Sequence, residues 1–162
     1  MIRKVTIEDA QAIADIYNYY VKNSIATIEE KTVSSYFFVD AINSLTQKYP
    51  WFVYETDGEV LGYAHAGLWK SRTGFRKSAE LTVYLKSDVT QKGIGTLLYE
   101  KVINEVKKLD IHVIIGGISL PNEASVRLHE KFGFVKTAHF KEVGYKFNKW
   151  VDVGYWQLTL NN

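Results

Sequence analysis

The chain contains no cysteine. Disulfides and thiolate metal sites are excluded, and so is any acyl-transfer route that holds the acyl group on an enzyme thiol. A reducing compartment is the natural expectation. Proline is nearly absent, at 2 of 162 residues, and no apolar run approaches the about 20 residues that cross a bilayer. Met1 to Glu8 lacks the long apolar core of a secretory leader, so the sequence reads as soluble and cytoplasmic. Charge of one sign is missing too. Lys plus Arg, 20, against Asp plus Glu, 18, leaves +2, too little to argue for nucleic acid or a membrane surface. His65, His112, His129 and His139 are scattered without ligand spacing, so no metal is expected. What remains is ordinary: 46% hydrophobic and 23% charged residues, with length for one domain over 1–162 and a sizeable core.

Periodicity gives mixed elements. Ile2 to Val5 suits a short strand, and Thr6 with Glu8 and Asp9 suits a helix start. Ile13, Ile16, Tyr17 and Tyr20 give that helix its face, to about Lys22. Phe37, Ala41, Ile42 and Leu45 do the same for a second helix after a cap within Thr32 to Ser35. Trp51 to Glu55 and Val60 to Leu68 are strands joined by the hairpin signal Asp57-Gly58. Ala79 to Leu85 is a further strand. A long helix follows Gly93-Ile94-Gly95, with Leu97, Leu98, Val102, Ile103, Val106 and Leu109 as its stripe. His112 to Ile118 reads as a strand buried on both faces. Pro121 and Asn122 open a short helix ending near Phe132-Gly133, and two long strands turn around Asn148 and Lys149. The pattern predicts a single α/β domain with a mixed sheet.

In Gln91-Lys92-Gly93-Ile94-Gly95-Thr96 the glycines stand where a loop becomes a helix. Backbone amides freed there, with the helix dipole and Lys92, suit a phosphate or pyrophosphate. The same spacing also serves as plain turn chemistry. It is neither a Walker loop nor a Rossmann fingerprint. Leu120-Pro121-Asn122-Glu123-Ala124-Ser125 marks a second helix start, with Asn122 as its cap.

Together these motifs resemble the GNAT superfamily of N-acetyltransferases. The likeness is narrower to the branch acting on phosphinothricin and on methionine sulfone or sulfoximine. It is carried by Ser24-Ile-Ala-Thr-Ile-Glu29, Gly62-Tyr-Ala64, Ala79-Glu80-Leu-Thr-Val-Tyr84, Leu120-Pro-Asn-Glu-Ala-Ser-Val-Arg-Leu-His129 and Val143-Gly-Tyr-Lys-Phe147, with Trp150 and Asp152-Val153. The resemblance implies about seven strands, mostly antiparallel, splayed into a V and flanked by about four helices. It also implies acetyl-CoA as donor, a small amino-acid-like acceptor and a homodimer. Two departures stand out: Thr90 replaces the expected Gln or Arg, and Asn148-Lys149 replaces Gly-Arg.

The resemblance assigns roles residue by residue. Glu80, among apolar neighbours whose burial would raise its pKa, is the general base. His129 stands where a group protonates the departing thiolate. Val83, Tyr84 and Leu85 would hold the thioester and pantetheine arm, one backbone N–H polarising the acetyl oxygen. Gln91, Lys92, Gly93, Ile94, Gly95 and Thr96 would take the pyrophosphate, with Asn122, Ser125 and Lys131 as further cofactor contacts. Lys70, Ser71, Arg72 and Phe75 would bind the acceptor, bordered by Leu81 and Thr82 on the Glu80 strand, with Arg72 preferred over Arg76 for a carboxylate. Thr27 and Glu29 would shape the pocket. Polyamine, aminoglycoside or protein acceptors, and a non-catalytic acyl-CoA-binding module, stay open as alternatives.

Overall fold

The computed structural model describes residues 1–89 and 92–161. Thr90, Gln91 and Asn162 lie outside the described residues. The elements run β1 (Ile2–Lys4), α1 (Ala10–Asn23), α2 (Ser35–Leu45), β2 (Trp51–Thr56), β3 (Glu59–Leu68), β4 (Ser78–Leu85), α3 (Ile94–Val106), β5 (Val113–Leu120), α4 (Glu123–Lys131), β6 (Val135–Lys146) and β7 (Lys149–Thr159). One seven-stranded sheet has the order β1-β2-β3-β4-β5-β7-β6. Its β1–β2, β2–β3, β5–β7 and β6–β7 pairs are antiparallel, and β4–β5 is parallel. The pattern predicts the mixed sheet, and the resemblance implies its mostly antiparallel seven strands and four helices.

The chain divides into two compact units. The first comprises Met1–Tyr19, Val33–Gly67 and Leu81–Asp110. Before α1, the Asp9 carboxylate accepts from the Thr6 backbone N–H at 2.8 Å and pairs with Arg3. The acid, rather than the threonine alone, therefore fixes the start. Asp57 and Gly58, at φ 52° and 79°, give the left-handed pair that a tight hairpin needs. Two helical faces differ from expectation. In α2 the core residues are Phe38 and Ile42, while Phe37 is exposed, because Phe38 meets the rings of Trp51 and Tyr63. In α3, Leu97 is exposed and Tyr99 buried. Ile94, Leu98, Val102 and Val106 form one line and Tyr99 and Ile103 the next, and a 3.6-residue period turns Leu97 away from both. The helix ends at Val106, short of Leu109.

The second unit comprises Tyr20–Thr32, Leu68–Glu80 and Ile111–Asn162. β5 pairs with β4 through Ser78–Val113, Ala79–Ile114 and Glu80–Ile115, and with β7 along its whole length. Ile114 and Ile118 on one face and Ile115 and Ser119 on the other are buried, as expected of a strand covered on both faces. The turn between β6 and β7 falls on Phe147 and Asn148, at φ 54° and 59°, one residue earlier than Asn148-Lys149. Lys149 is already in the ladder opposite Lys146. Among the described residues no helix is long and apolar enough to cross a membrane.

Candidate active site

In the first unit, two stretches supply backbone groups. Thr82, Val83, Tyr84 and Leu85 are four successive half-buried residues at the end of β4. Leu81, just before them, is buried in the core. The Tyr84 ring is held edge-on by Tyr17 at 5.5 Å and lies 5.8 Å from Tyr63. Further on, Gly93 occupies the N-cap of α3 in the left-handed conformation, φ 74°. Among the described residues no side chain caps this helix. A Cβ on Gly93 would meet nothing within 4 Å, so φ, not crowding, calls for glycine here. Gly93 offers its carbonyl to Leu97 N–H at 3.1 Å. The first amides, of Ile94, Gly95 and Thr96, have no acceptor within the helix. Beside the exposed Lys92, they form a set of donors and positive potential that fits a pyrophosphate. Gln91 lies outside the described residues, as does Thr90.

In the second unit the groups are side chains. Glu80 is the last β4 residue in the parallel register with β5. It is half-buried, and burial pushes its carboxyl above the usual range while the Lys70 ammonium partly opposes this. Lys70 itself lies over the Trp69 ring at 5.1 Å. The segment between β3 and β4 is exposed from Lys70 to Lys77. A short 3₁₀ turn, Thr73–Phe75, follows Arg72, and Phe75 packs edge-on against Trp69 at 5.3 Å. Arg76 is committed, donating to Thr73 O at 3.2 Å. Among the described residues, neither Ser71 nor Arg72 has a side-chain hydrogen-bond or ion-pair partner, and Arg72 leaves its guanidinium available.

The start of α4 is closed from within. Asn122 Oδ1 accepts from Ser125 N–H at 3.2 Å, as a side-chain cap does. Gly133, at φ 89°, ends the helix. His129 is 3% exposed, and its ring donates from Nδ1 to Ser125 O at 2.7 Å. A carbonyl only accepts, so Nδ1 must carry the proton. Burial pulls the imidazole pKa down, the hydrogen bond to Ser125 opposing, which favours the neutral ring. Gly116 makes room for this ring: a Cβ there would collide with the imidazole. Lys131, in the last turn, is exposed.

The structure thus gathers Glu80 with Lys70, and His129 with Ser125 and Asn122. It places Lys92–Thr96 at one helix start. Among the described residues, no group of three or more His, Cys, Asp or Glu side chains is placed to hold a metal ion. The backbone donors at the start of α3 suit an anion, and separately the Glu80 carboxyl, raised by burial, suits proton acceptance. The family model for the acetyltransferase domain called GNAT matches residues 2–154.

The chain belongs to the GNAT acetyltransferases.

Curated relatives within that family narrow the likeness. The chain is 35% identical over 156 residues to the phosphinothricin N-acetyltransferase of Streptomyces viridochromogenes, covering 96% of this chain and 85% of that one. It is 38% identical to the L-amino acid N-acyltransferase MnaT of Escherichia coli, covering 99% and 94%. It is 37% identical to the L-methionine sulfoximine/L-methionine sulfone acetyltransferase of Salmonella typhimurium, again covering 99% and 94%. Among solved GNAT structures, yncA of Salmonella typhimurium, with its cofactor acetyl-CoA, superposes with a TM-score of 0.96 at 36% identity, covering 99% and 94%. The phosphinothricin acetyltransferase of Sinorhizobium meliloti, in complex with acetyl-CoA, gives 0.95 at 29%, covering 99% and 88%.

One buried cation of this GNAT chain has no sign in composition or helical periodicity. Lys146 is 1% exposed in β6. The signal that points to it is strand alternation, which puts it on one face with buried Gly144 and away from exposed Tyr145 and Phe147.

Proposed function

We propose that this enzyme transfers the acetyl group of acetyl-CoA directly to the α-amine of a small amino-acid-like acceptor, of the class of phosphinothricin, methionine sulfoximine and methionine sulfone. Glu80 is the general base. The observation that carries the reading is the Glu80 carboxyl, raised by burial at the end of the parallel register and partly countered by Lys70. A carboxylate of ordinary basicity is a weak acceptor for an amine proton, and raising its pKa brings it nearer the operating pH. Lys70 keeps the ionised form populated.

The thioester of acetyl-CoA supplies the activated acyl group. The neutral amine forms the N–C bond as the C–S bond breaks. Glu80 takes the amine proton, directly or through one water, and the departing thiolate takes up a proton from solvent. No enzyme acyl intermediate is needed, in keeping with a chain without cysteine. Backbone groups of Val83, Tyr84 and Leu85 hold the pantetheine arm, one N–H facing the developing oxyanion. Lys92, Gly93, Ile94, Gly95 and Thr96, with Gln91, hold the pyrophosphate. Asn122, Ser125 and Lys131 are further donor contacts. The uncommitted Arg72 takes the acceptor carboxylate, with Lys70, Ser71, Phe75, Leu81 and Thr82 around it.

The buried, neutral His129, with its proton on Nδ1, has none on Nε2 to give. An acid role requires prior protonation, which burial opposes. The family match runs through segments of both units, which supports reading 1–162 as one acetyltransferase domain. A cytoplasmic homodimer belongs to the same reading, and light scattering on the purified protein tests the dimer.

The decisive experiment measures free thiol released from acetyl-CoA with methionine sulfone, methionine sulfoximine, phosphinothricin, ordinary amino acids and spermidine. The expected outcome is strong turnover with the tetrahedral sulfur or phosphorus analogues. Turnover with spermidine alone would discard the carboxylate-binding role of Arg72. Acetyl-CoA binding without turnover on any amine would leave a sensing module.

A further inference from the structure

Residues 24–32 form no helix or strand, yet their backbone is tied at several points. Ser24 Oγ accepts from Ala26 N–H at 3.0 Å, and Thr27 Oγ1 accepts from Glu29 N–H at 3.2 Å. The Glu29 carboxylate accepts from the N–H groups of Glu30 and Lys31. These turns are local, and none of them anchors the segment to the sheet. Lys146 ties the segment to β6. Its Nζ donates to three backbone carbonyls, of Tyr20 at 3.2 Å, Ser24 at 2.6 Å and Thr27 at 2.8 Å. An ammonium has three N–H donors, so the set is complete. Tyr20 lies in the last turn of α1, where its carbonyl also accepts from Ser24 N–H at 3.1 Å, and Ser24 lies just beyond it, where a cation complements the dipole. Beside the lysine, Ile28 lies over Gly144, where an added Cβ would come within 3.0 Å of Ile28 Cδ1.

The two stretches Ser24–Glu29 and Val143–Phe147, far apart in sequence and both part of the family resemblance, are therefore joined by one side chain. A buried lysine without a carboxylate in direct contact is costly. Surface hydrogen-bonding alone gives no reason to bury one here. We infer that Lys146 is a positioning residue for the acceptor: it holds the 24–32 segment, and with it Thr27 and Glu29, in the form that receives the amino-acid substrate. This rests on the proposed reading of the acceptor. It is a role in acceptor affinity, separate from donor binding and from the proton transfer at Glu80.

The test compares wild type with Lys146→Met, which keeps an unbranched side chain one atom shorter and removes its donors. Three quantities are read: KM for methionine sulfone, the dissociation constant for acetyl-CoA, and the rate of proteolytic cleavage within 24–32. Expected are a rise in acceptor KM of about tenfold, faster cleavage and an acetyl-CoA constant within about twofold of wild type. Lys146→Arg, which keeps a donor-rich cation, recovers part of the KM. Gly144→Ala, which presses on Ile28 without touching the lysine, raises the acceptor KM in the same direction and keeps the inference testable if Lys146→Met does not fold. A wild type inactive on every amino acid overturns the acceptor reading, and this inference with it. An active wild type whose variants show unchanged acceptor KM and unchanged cleavage overturns the inference alone. Equal losses for acceptor and acetyl-CoA would also overturn it, as a general structural defect.

Discussion

The stretch from Val83 to Thr96 and the surroundings of Glu80 and α4 are made of different materials. In the first, the useful groups are peptide N–H donors, and α3 starts at a left-handed Gly93 with no side-chain cap among the described residues. In the second they are side chains, and the helix start is already closed by Asn122. Two helix starts of similar dipole thus do different things. On the proposed reading, the uncapped one keeps its donors for a ligand anion. The capped one has spent a donor internally and carries the acid Glu123 in its first turn, so its dipole is already offset. A site of backbone groups should tolerate side-chain changes and fail when φ changes. A site of side chains should fail when one atom is exchanged.

The largest effect expected is from Glu80→Gln, which exchanges a single oxygen for nitrogen. Turnover should fall about a hundred- to a thousandfold while acetyl-CoA affinity stays within about twofold, measured by thiol release and calorimetry. Wild-type kcat/KM should rise with pH through a pKa above the ordinary 4.5 of a glutamate. Stability gives the opposite sign. A carboxyl whose pKa is raised by folding favours the native state when protonated, and that advantage is lost as pH rises through the folded pKa. Glu80→Gln mimics the protonated form. It should melt above wild type at neutral pH, and the difference should close as pH falls below 4.5. Turnover that survives the exchange would remove Glu80 from the mechanism.

Next in size is Gly93→Val, the corresponding assault on the backbone site. A β-branched residue at φ 74° costs about 1–2 kcal/mol in the left-handed conformation, and the loop would shift to relieve it. Acetyl-CoA should bind about tenfold more weakly, with the acceptor KM little changed. The helix start of α4 should respond in the contrary way. Asn122→Ala removes a cap worth about 1 kcal/mol, lowering the melting temperature, while loss of this one further contact weakens acetyl-CoA by no more than about threefold. Equal losses of acetyl-CoA binding in the two variants would erase the distinction between the two starts.

The two regions were also unequally legible in the sequence. Gly93-Ile94-Gly95 ahead of an apolar stripe predicts a donor-rich helix start from local rules, because glycine conformation and helix periodicity are local properties. Asp57-Gly58 and the run at His112 to Ile118 were legible for the same reason. Faces decided by distant partners were not: Phe38 replaces Phe37 in the core because Trp51 and Tyr63 stand opposite it. Side-chain roles were harder still. Nothing near Glu80 in sequence tells that Lys70 opposes its burial, and nothing near Lys146 tells that its partners are the carbonyls of Tyr20, Ser24 and Thr27. Such pairings are set by strand order and by the path of an irregular segment, and only resemblance supplied Glu80, His129 and Arg72 as candidates.

The smallest expected effect sharpens the comparison inside the backbone site itself. Lys92 is exposed, and a unit charge about 4 Å from a phosphate contributes about 1 kcal/mol in water. Salt screens such a contribution, since the Debye length is about 10 Å at 0.1 M and about 3 Å at 1 M. Lys92→Gln should therefore weaken acetyl-CoA about two- to fivefold at low ionic strength, and the deficit should shrink as salt is added. The deficit of Gly93→Val comes from misplaced N–H donors rather than from lost charge, so it should persist across the same titration. Parallel salt curves for the two variants would mean that both act through the local potential, and that the amides of α3 are not what holds the pyrophosphate.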